Sequence, residues 1–404
     1  MKILAVTTKS PWPLNEGRAL RTYNLLKEAA KRHEVTLCTY VQSQEELDGI
    51  PELEKFCSAV HAVPLYMKWP KLSLLADALR ELVSPAPLHA VKYSKRPMRE
   101  LVGGLLESGD YDVLHLDMLQ LAELASAGGD VPTVLVEHNV ESQILARRLE
   151  NESNPVLRAY LRYQTDKLRR YEARMCNAVQ HVTTVSDEDR EQLAALGVET
   201  PVTSVPNAVD TEFFTPADVE IRPDTLVYVG SLAWFPNEDA VGYFVDEILP
   251  RIAEKRPGVR FNVIGQTPDT AKLKRWTATG RVEFLGFVDD IRPHVGSAAV
   301  YVVPLRIGGG TRLKILDALS MSKALVSTSV GCEGLGLEHG VQAKVADEPA
   351  AFADAVVELL ANPELAAGFG RAGRQYVYEH FRWQEIALRM EAVYEAAAAT
   401  RLAR

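Results

Sequence analysis

At 404 residues, with 47% apolar and 25% charged side chains, the chain is too long for one ordinary core and suits two domains of near-equal size. A net charge of −9 excludes general nucleic-acid binding by long-range electrostatics. The four cysteines, Cys38, Cys57, Cys176 and Cys332, form no C-x-x-C pair and fit reduced thiols in a cytoplasmic protein rather than zinc or disulfides.

The opening MKILAVTTKSPWP has an apolar run too short for a signal peptide, and it reads as a first strand over residues 2–7. No run approaches the length of a membrane span, so any contact with a membrane would be peripheral. A loop rich in Pro and Gly follows, then a helical apolar face over 18–31 and a second strand over 34–40. This is the start of a parallel α/β domain. Gly17, just ahead of the helix, is either a point of close ligand approach at the carboxyl end of a strand or a turn glycine.

Residues 45–108 read as mostly helical with weak periodicity. Residues 112–117 and 132–137 are strands, and His138 falls at the carboxyl tip of the second, where ligand contacts gather in parallel sheets. His115 alternates inside its strand as a core residue; Asp117, at the tip, is open to either reading. Residues 141–176 are helical, interrupted near Pro155, with charges that describe a solvated face. A strand over 181–186 leads to Ser186, which caps a helix with an acidic first turn, and 202–205 completes the sheet.

Residues 206–224, with prolines, turn formers and no period, form the domain boundary. The pattern then restarts: a strand over 225–229 ends in Gly230-Ser231, and further strands and helices alternate to a strand over 299–305. Gly308-Gly309-Gly310 follows, Thr311 is an N-cap candidate, and 312–321 reads as a helix. A strand, a glycine turn and a helix N-terminus together make an anion site. Arg312 and Lys314 are mobile cations in the first turn, unfavourable for the helix dipole unless a polyanion binds. Asp317, one turn later, can accept hydrogen bonds from a ribose diol. The other reading is a strand–helix corner with two solvated charges. The spacing is not that of a P-loop.

Two further patterns carry no chemistry. Gly368, Gly370 and Gly373 have G-x-G-x-x-G spacing without a preceding strand, which reads as helix packing. The D-x-D pairs Asp110/Asp112 and Asp187/Asp189 read as chance matches, and no metal is expected.

The ordered segments LVEHNVES, TTVSDED, VPNAVDTEFF, LVYVGSLAWFPNEDAV, LGFVDDI, VPLRIGGGTRLKILDALSMSKALVST and HFRWQ resemble retaining glycosyltransferases of family four, in the branch of exopolysaccharide sugar transferases. The resemblance runs almost end to end and implies the GT-B fold, two Rossmann-like lobes whose parallel sheets face across a cleft. The lobes would be 1–206, acceptor side, and 207–382, nucleotide-sugar side, with the helix of 383–404 packing back on the first. It implies that His138 contacts the donor sugar, that Gly17, Gly230 and Ser231 lie by the donor phosphates, and that Phe287 lies in the loop meeting the base. The 309–317 segment matches the motif of two glutamates, with Gly309 in place of the first and Asp317 in place of the second. Gly310 and Thr311 would offer amides. Ser231 and Asn237 stand where an arginine and a lysine are usual, so Arg312 and Lys314 are the natural replacement cations.

The implied activity is transfer from a UDP- or GDP-linked sugar to a glycan, lipid-linked or small-molecule acceptor. Retention, no metal, no cofactor beyond the donor, no nucleic acid and a cytoplasmic setting are expected with it. The alternative is a catalytically silent nucleotide-sugar-binding subunit of a glycan-assembly complex, motivated by Gly309. Donor sugar, acceptor and oligomeric state are not readable from the sequence.

Overall fold

A computed structural model describes the chain except residues 15–16, 66–71, 73–75, 77–80, 82–83, 85, 151, 153, 269–270, 308–311 and 403–404. Two wholly parallel sheets organise it. The first comprises β1 (Lys2–Thr7), β2 (Glu34–Val41), β3 (Ala59–Pro64), β4 (Val113–Asp117), β5 (Thr133–Val136), β6 (His181–Thr184) and β7 (Val202–Ser204), in the order β3-β2-β1-β4-β5-β6-β7. Ile3 to Thr7 are all buried, as expected of a central strand covered on both faces.

The second sheet comprises β8 (Arg222–Val229), β9 (Arg260–Ile264), β10 (Val282–Gly286), β11 (Ala298–Val303), β12 (Leu325–Ser327) and β13 (Lys344–Val345), in the order β10-β9-β8-β11-β12-β13. In both sheets the order reverses between two central strands, β1 and β4 in one, β8 and β11 in the other. Such a reversal opens a crevice at the carboxyl ends, because the loops on either side lead away in opposite directions.

Contacts group the chain into two compact units, Met1–Pro206 with Ile386–Arg404, and Asn207–Glu385. The final helix, Trp383–Leu402, supplies Tyr394 and Glu391 to the first unit: the Tyr394 hydroxyl lies 2.8 Å from His115 Nδ1, and Glu391 pairs with Arg32. All four cysteines are buried free thiols.

Two local expectations are corrected. The 45–108 segment opens on two short helices, Gln44–Asp48 and Ile50–Glu54, but Ala59–Pro64 then forms the edge strand β3 beside β2. The helix expected over 312–321 spans Leu313–Ser320 with Arg312 itself at the N-cap position; the Thr311 cap lies outside the described residues. The helix that follows β8 spans Phe235–Tyr243 and holds Asn237 in its first turn. The Gly368–Gly373 pattern sits inside the helix Pro363–His380, where a Cβ at Gly370 would come 2.0 Å from the Ser322 carbonyl oxygen and one at Gly373 2.5 Å from Leu319.

Candidate active site

In the first unit the switch point brings together Asp117, the last residue of β4, and His138, two residues beyond β5. Register pairs Asp117 with Val136, so the next strand's exit passes over the carboxylate. His138 Nε2 donates to Asp117 Oδ1 at 2.6 Å, and Thr22 Oγ1, from the helix Gly17–Ala29, donates to Oδ2 at 2.9 Å. Burial acts to raise the Asp117 carboxyl, but the charge and hydrogen bond of His138, with His115 and Arg18 behind, hold it well below the carboxylate range.

An ionised Asp117 can only accept, so the proton sits on His138 Nε2 and the ring is fixed in one orientation. Nδ1 has no partner among the described residues. Arg18 donates to Thr8 Oγ1 at the tip of β1, and Arg21 is buried with its guanidinium on the Val205 and Pro206 carbonyls. Burial lowers Arg21 to about 10, with Asp117 acting the other way. Gly17 is exposed at the start of its helix. His115 is buried and lowered to about 4 by desolvation, a neutral core residue.

Glu137, the residue before His138, belongs to a carboxylate pair with Glu172 that no sequence motif marks. Glu172 accepts from the amides of Glu141 and Ser142, capping the helix Glu141–Glu150, and burial raises it to about 7. Glu137 is buried beside it and pushed well up by desolvation, then by Glu172. No local pattern announces this pair, because its members are thirty-five residues apart in sequence.

In the second unit the loop after β8 crosses the loop after β9. Gly265 adopts φ +136°, and a Cβ there would fall 2.4 Å from the Gly230 carbonyl oxygen, so backbone packs on backbone. Gly230 leaves room for Lys314, whose Nζ would lie 2.8 Å from a Cβ at that position. The Lys314 ammonium donates to Tyr228 Oη and Asn237 Oδ1, each at 2.8 Å, and sits 4.4 Å from the Tyr228 ring centre. Asn237 Nδ2 in turn donates to the Ser231 carbonyl at 2.9 Å.

Among the described residues none of the Lys314 partners is a carboxylate, and desolvation, followed by the charge of Arg312, lowers Lys314 to about 7. Asp317, one turn along, is half-buried, has no hydrogen-bond partner for its carboxyl among the described residues, and is pushed up to about 8 by desolvation. A cation without counter-charge and a carboxyl without donors thus share one helix face.

Neither cation is mobile, contrary to expectation. Arg312 is buried, with Nη2 donating to the Val330 carbonyl at 3.1 Å and to Glu333 at 3.4 Å. Gly309, Gly310 and Thr311 lie outside the described residues. Phe287, after β10, is 81% exposed, and Trp234 and Phe235 after β8 are exposed aromatics that the sequence reading did not single out. Among the described residues no group of three or more His, Cys, Asp or Glu could hold a metal ion.

Two family profiles cover most of the chain. The one described as "Glycosyltransferase Family 4" matches residues 17–213, and "Glycosyl transferases group 1" matches 223–362. An uncharacterized 44.6 kDa protein in the cps region of Klebsiella pneumoniae is 20% identical over 89% of this chain and 91% of its own. The GDP-mannose-dependent alpha-(1-6)-phosphatidylinositol monomannoside mannosyltransferase of Mycobacterium tuberculosis is 26% identical over 52% of this chain and 60% of its own.

Among solved structures, Anabaena Alr3699/HepE in complex with UDP aligns with 98% of this chain and 100% of that one at TM-score 0.70 and 14% identity. Sucrose-phosphate synthase from Thermosynechococcus elongatus aligns with 99% and 100% at TM-score 0.64 and 15% identity. At such identities these two speak for the fold.

Proposed function

The chain belongs to glycosyltransferase family four, with the GT-B fold, and on that premise we propose that it moves a sugar from a UDP- or GDP-linked donor to a glycan or lipid-linked acceptor with retention of anomeric configuration. The observation that carries the donor assignment is Lys314: a half-buried ammonium at the β8/β11 switch point whose partners among the described residues are neutral. A diphosphate supplies the missing charge.

As the bond from the anomeric carbon to the diphosphate oxygen breaks, negative charge gathers on the leaving group. Lys314 offsets it, with Arg312 and the amides that open the Leu313–Ser320 helix, each good donor contributing roughly 3 kcal/mol. The acceptor hydroxyl oxygen bonds to the anomeric carbon, and its proton passes to the departing phosphate oxygen. With these cations on the leaving group the proposal assigns no metal. Asp317 accepts from the ribose hydroxyls, and Phe287 and Gly230-Ser231 line the nucleotide. His138, held by Asp117, offers Nδ1 to a hydroxyl of the donor sugar, and Gly17 lies towards the donor phosphates.

Relatives and structural neighbours support this reading from both sides: a GDP-mannose-dependent enzyme and a UDP complex for the donor, a cps region for polysaccharide biosynthesis. Thermal-shift screening against UDP- and GDP-sugars, followed by nucleotide release with an acceptor, tests it. Donor binding without any release would leave the silent binding subunit; no nucleotide binding at all would end both.

A further inference from the structure

The helix Phe235–Tyr243 turns two groups towards the exit of β11. Asp239 and Tyr243 stand at i and i+4 and share a face. Arg306, three residues beyond β11, spans both. Its Nε donates to Asp239 Oδ2 at 3.1 Å and its Nη2 to Oδ1 at 2.7 Å, while the guanidinium lies 4.5 Å from the centre of the Tyr243 ring. The ring is held in turn. Its hydroxyl donates to the Asp347 carbonyl at 2.8 Å, and the Asp347 carboxylate accepts from the amide and hydroxyl of Ser329. One residue on, the Val330 carbonyl accepts from Arg312.

A two-pronged contact with a carboxylate and a stack on an aromatic ring both need the planar fork of a guanidinium. Yet the Arg306 side chain remains 46% exposed, and an ion pair so open to water contributes little to stability. Its use lies in placement. Arg306 and Lys314 flank the glycine triplet in sequence, and each reaches the same helix, Arg306 at Asp239 and Lys314 at Asn237. Asp239 also neutralises Arg306, so the pair brings no net charge to a bound anion.

We propose, on the donor reading of Lys314, that Arg306 is a positioning residue for the diphosphate site. Clamped by Asp239 and Tyr243, it fastens the exit of β11 to the helix Phe235–Tyr243 and so sets where Lys314 meets Asn237.

Calorimetry of the full chain with UDP, GDP and the free nucleosides tests this. Arg306→Gln weakens nucleoside diphosphate binding roughly tenfold and leaves the free nucleoside's affinity as in the parent. Asp239→Asn separates clamp from charge. Were charge alone at work, losing a carboxylate would strengthen binding of an anion. With the clamp, Asp239→Asn weakens binding about as much as Arg306→Gln, and the double variant loses no more than either single one. Arg306→Lys keeps the charge without the fork and shows the same loss, whereas Asp239→Glu, which keeps the carboxylate, retains most of the affinity. The denaturant midpoints of these variants stay close to the parent's. Unchanged or tighter binding in Asp239→Asn overturns the proposal, as does full affinity in Arg306→Lys. So does an equal loss for nucleoside and nucleoside diphosphate, which would mark the pair as merely structural. Lys314→Met, run alongside, keeps the two levels apart. If it leaves diphosphate affinity unchanged, the donor reading falls and the clamp with it; if it weakens binding while the Arg306 and Asp239 variants do not, the clamp alone falls.

Discussion

Lys314 and Asn237 meet at 2.8 Å although seventy-seven residues separate them. The family resemblance puts a lysine near position 237; here Asn237, in the first turn of the helix Phe235–Tyr243, offers an amide and the ammonium arrives from the helix after β11. The charge is kept at the switch point while its origin moves from one strand exit to the next.

Lys314→Met should therefore weaken UDP or GDP binding by roughly 2 kcal/mol or more, the scale of a hydrogen bond to a charged group, while leaving the free nucleoside's affinity alone. Adding Asn237→Lys to that variant should recover part of the loss, since it returns a cation to the position that Lys314 Nζ contacts. Isothermal calorimetry reads both. Equal losses for nucleoside and nucleoside diphosphate would remove Lys314 from the phosphate site.

The same pair of unbalanced groups predicts a pH profile of opposing limbs. Lys314 titrates at about 7 in the unliganded protein, and a diphosphate favours its charged form. Binding then takes up a proton above pH 7, and affinity falls as pH climbs, by up to about tenfold per unit. Asp317 titrates at about 8, and ribose hydroxyls favour its charged form. Binding releases a proton below pH 8, and affinity rises as pH approaches it. Between the two values wild type should show little net proton exchange. Asp317→Asn should keep only the falling limb and Lys314→Met only the rising one. The unliganded Asp317→Asn protein should also gain stability over wild type as pH rises from about 4 to 8, because the raised carboxyl destabilises the fold only where it must ionise. Superimposable profiles for all three proteins would sink the assignment.

In the first unit, Asp117→Asn removes the charge that fixes His138 in the Nε2–H tautomer. Turnover should fall on the order of 10²-fold with nucleotide affinity largely kept, as for His138→Ala, because the partner acts through the ring. The depressed Asp117 carboxyl contributes stability above its ordinary titration range, and that contribution is lost as pH falls through the folded value, so the variant should lose its excess acid sensitivity. Unchanged turnover in both variants would remove the pair from the reaction.

Much of this frame is legible in the chain itself, and the failures have a common cause. The strand at 298–303 and the helix at 313–320 are local, set by an apolar run and by the absence of Gly and Pro from 313 to 320. His138 at a strand tip is local too. Its bond to Asp117 is not, since it depends on β4 and β5 being neighbours in register, which no single run encodes. Arg312 looked free because its partners, Val330 and Glu333, lie in a segment without period. The strand β3 was hidden because an edge strand buries little: five of its six residues are only partly covered or exposed.

The glycine pattern at 368–373 gives a contrast within one motif. As helix packing, its glycines differ: a Cβ at Gly370 collides with the Ser322 carbonyl, whereas at Gly368 it meets nothing within 4 Å. Gly370→Ala must push two backbones apart and should destabilise by about 1–3 kcal/mol, the usual range for overpacking. Gly368→Ala should stabilise by about 0.5–1 kcal/mol, because alanine loses less conformational freedom in a helix interior. Chemical denaturation of the two variants, alongside nucleotide titration, separates this from a dinucleotide-type loop. In such a loop the first glycine would be the sensitive one, and Gly368→Ala would lower nucleotide affinity instead of raising stability.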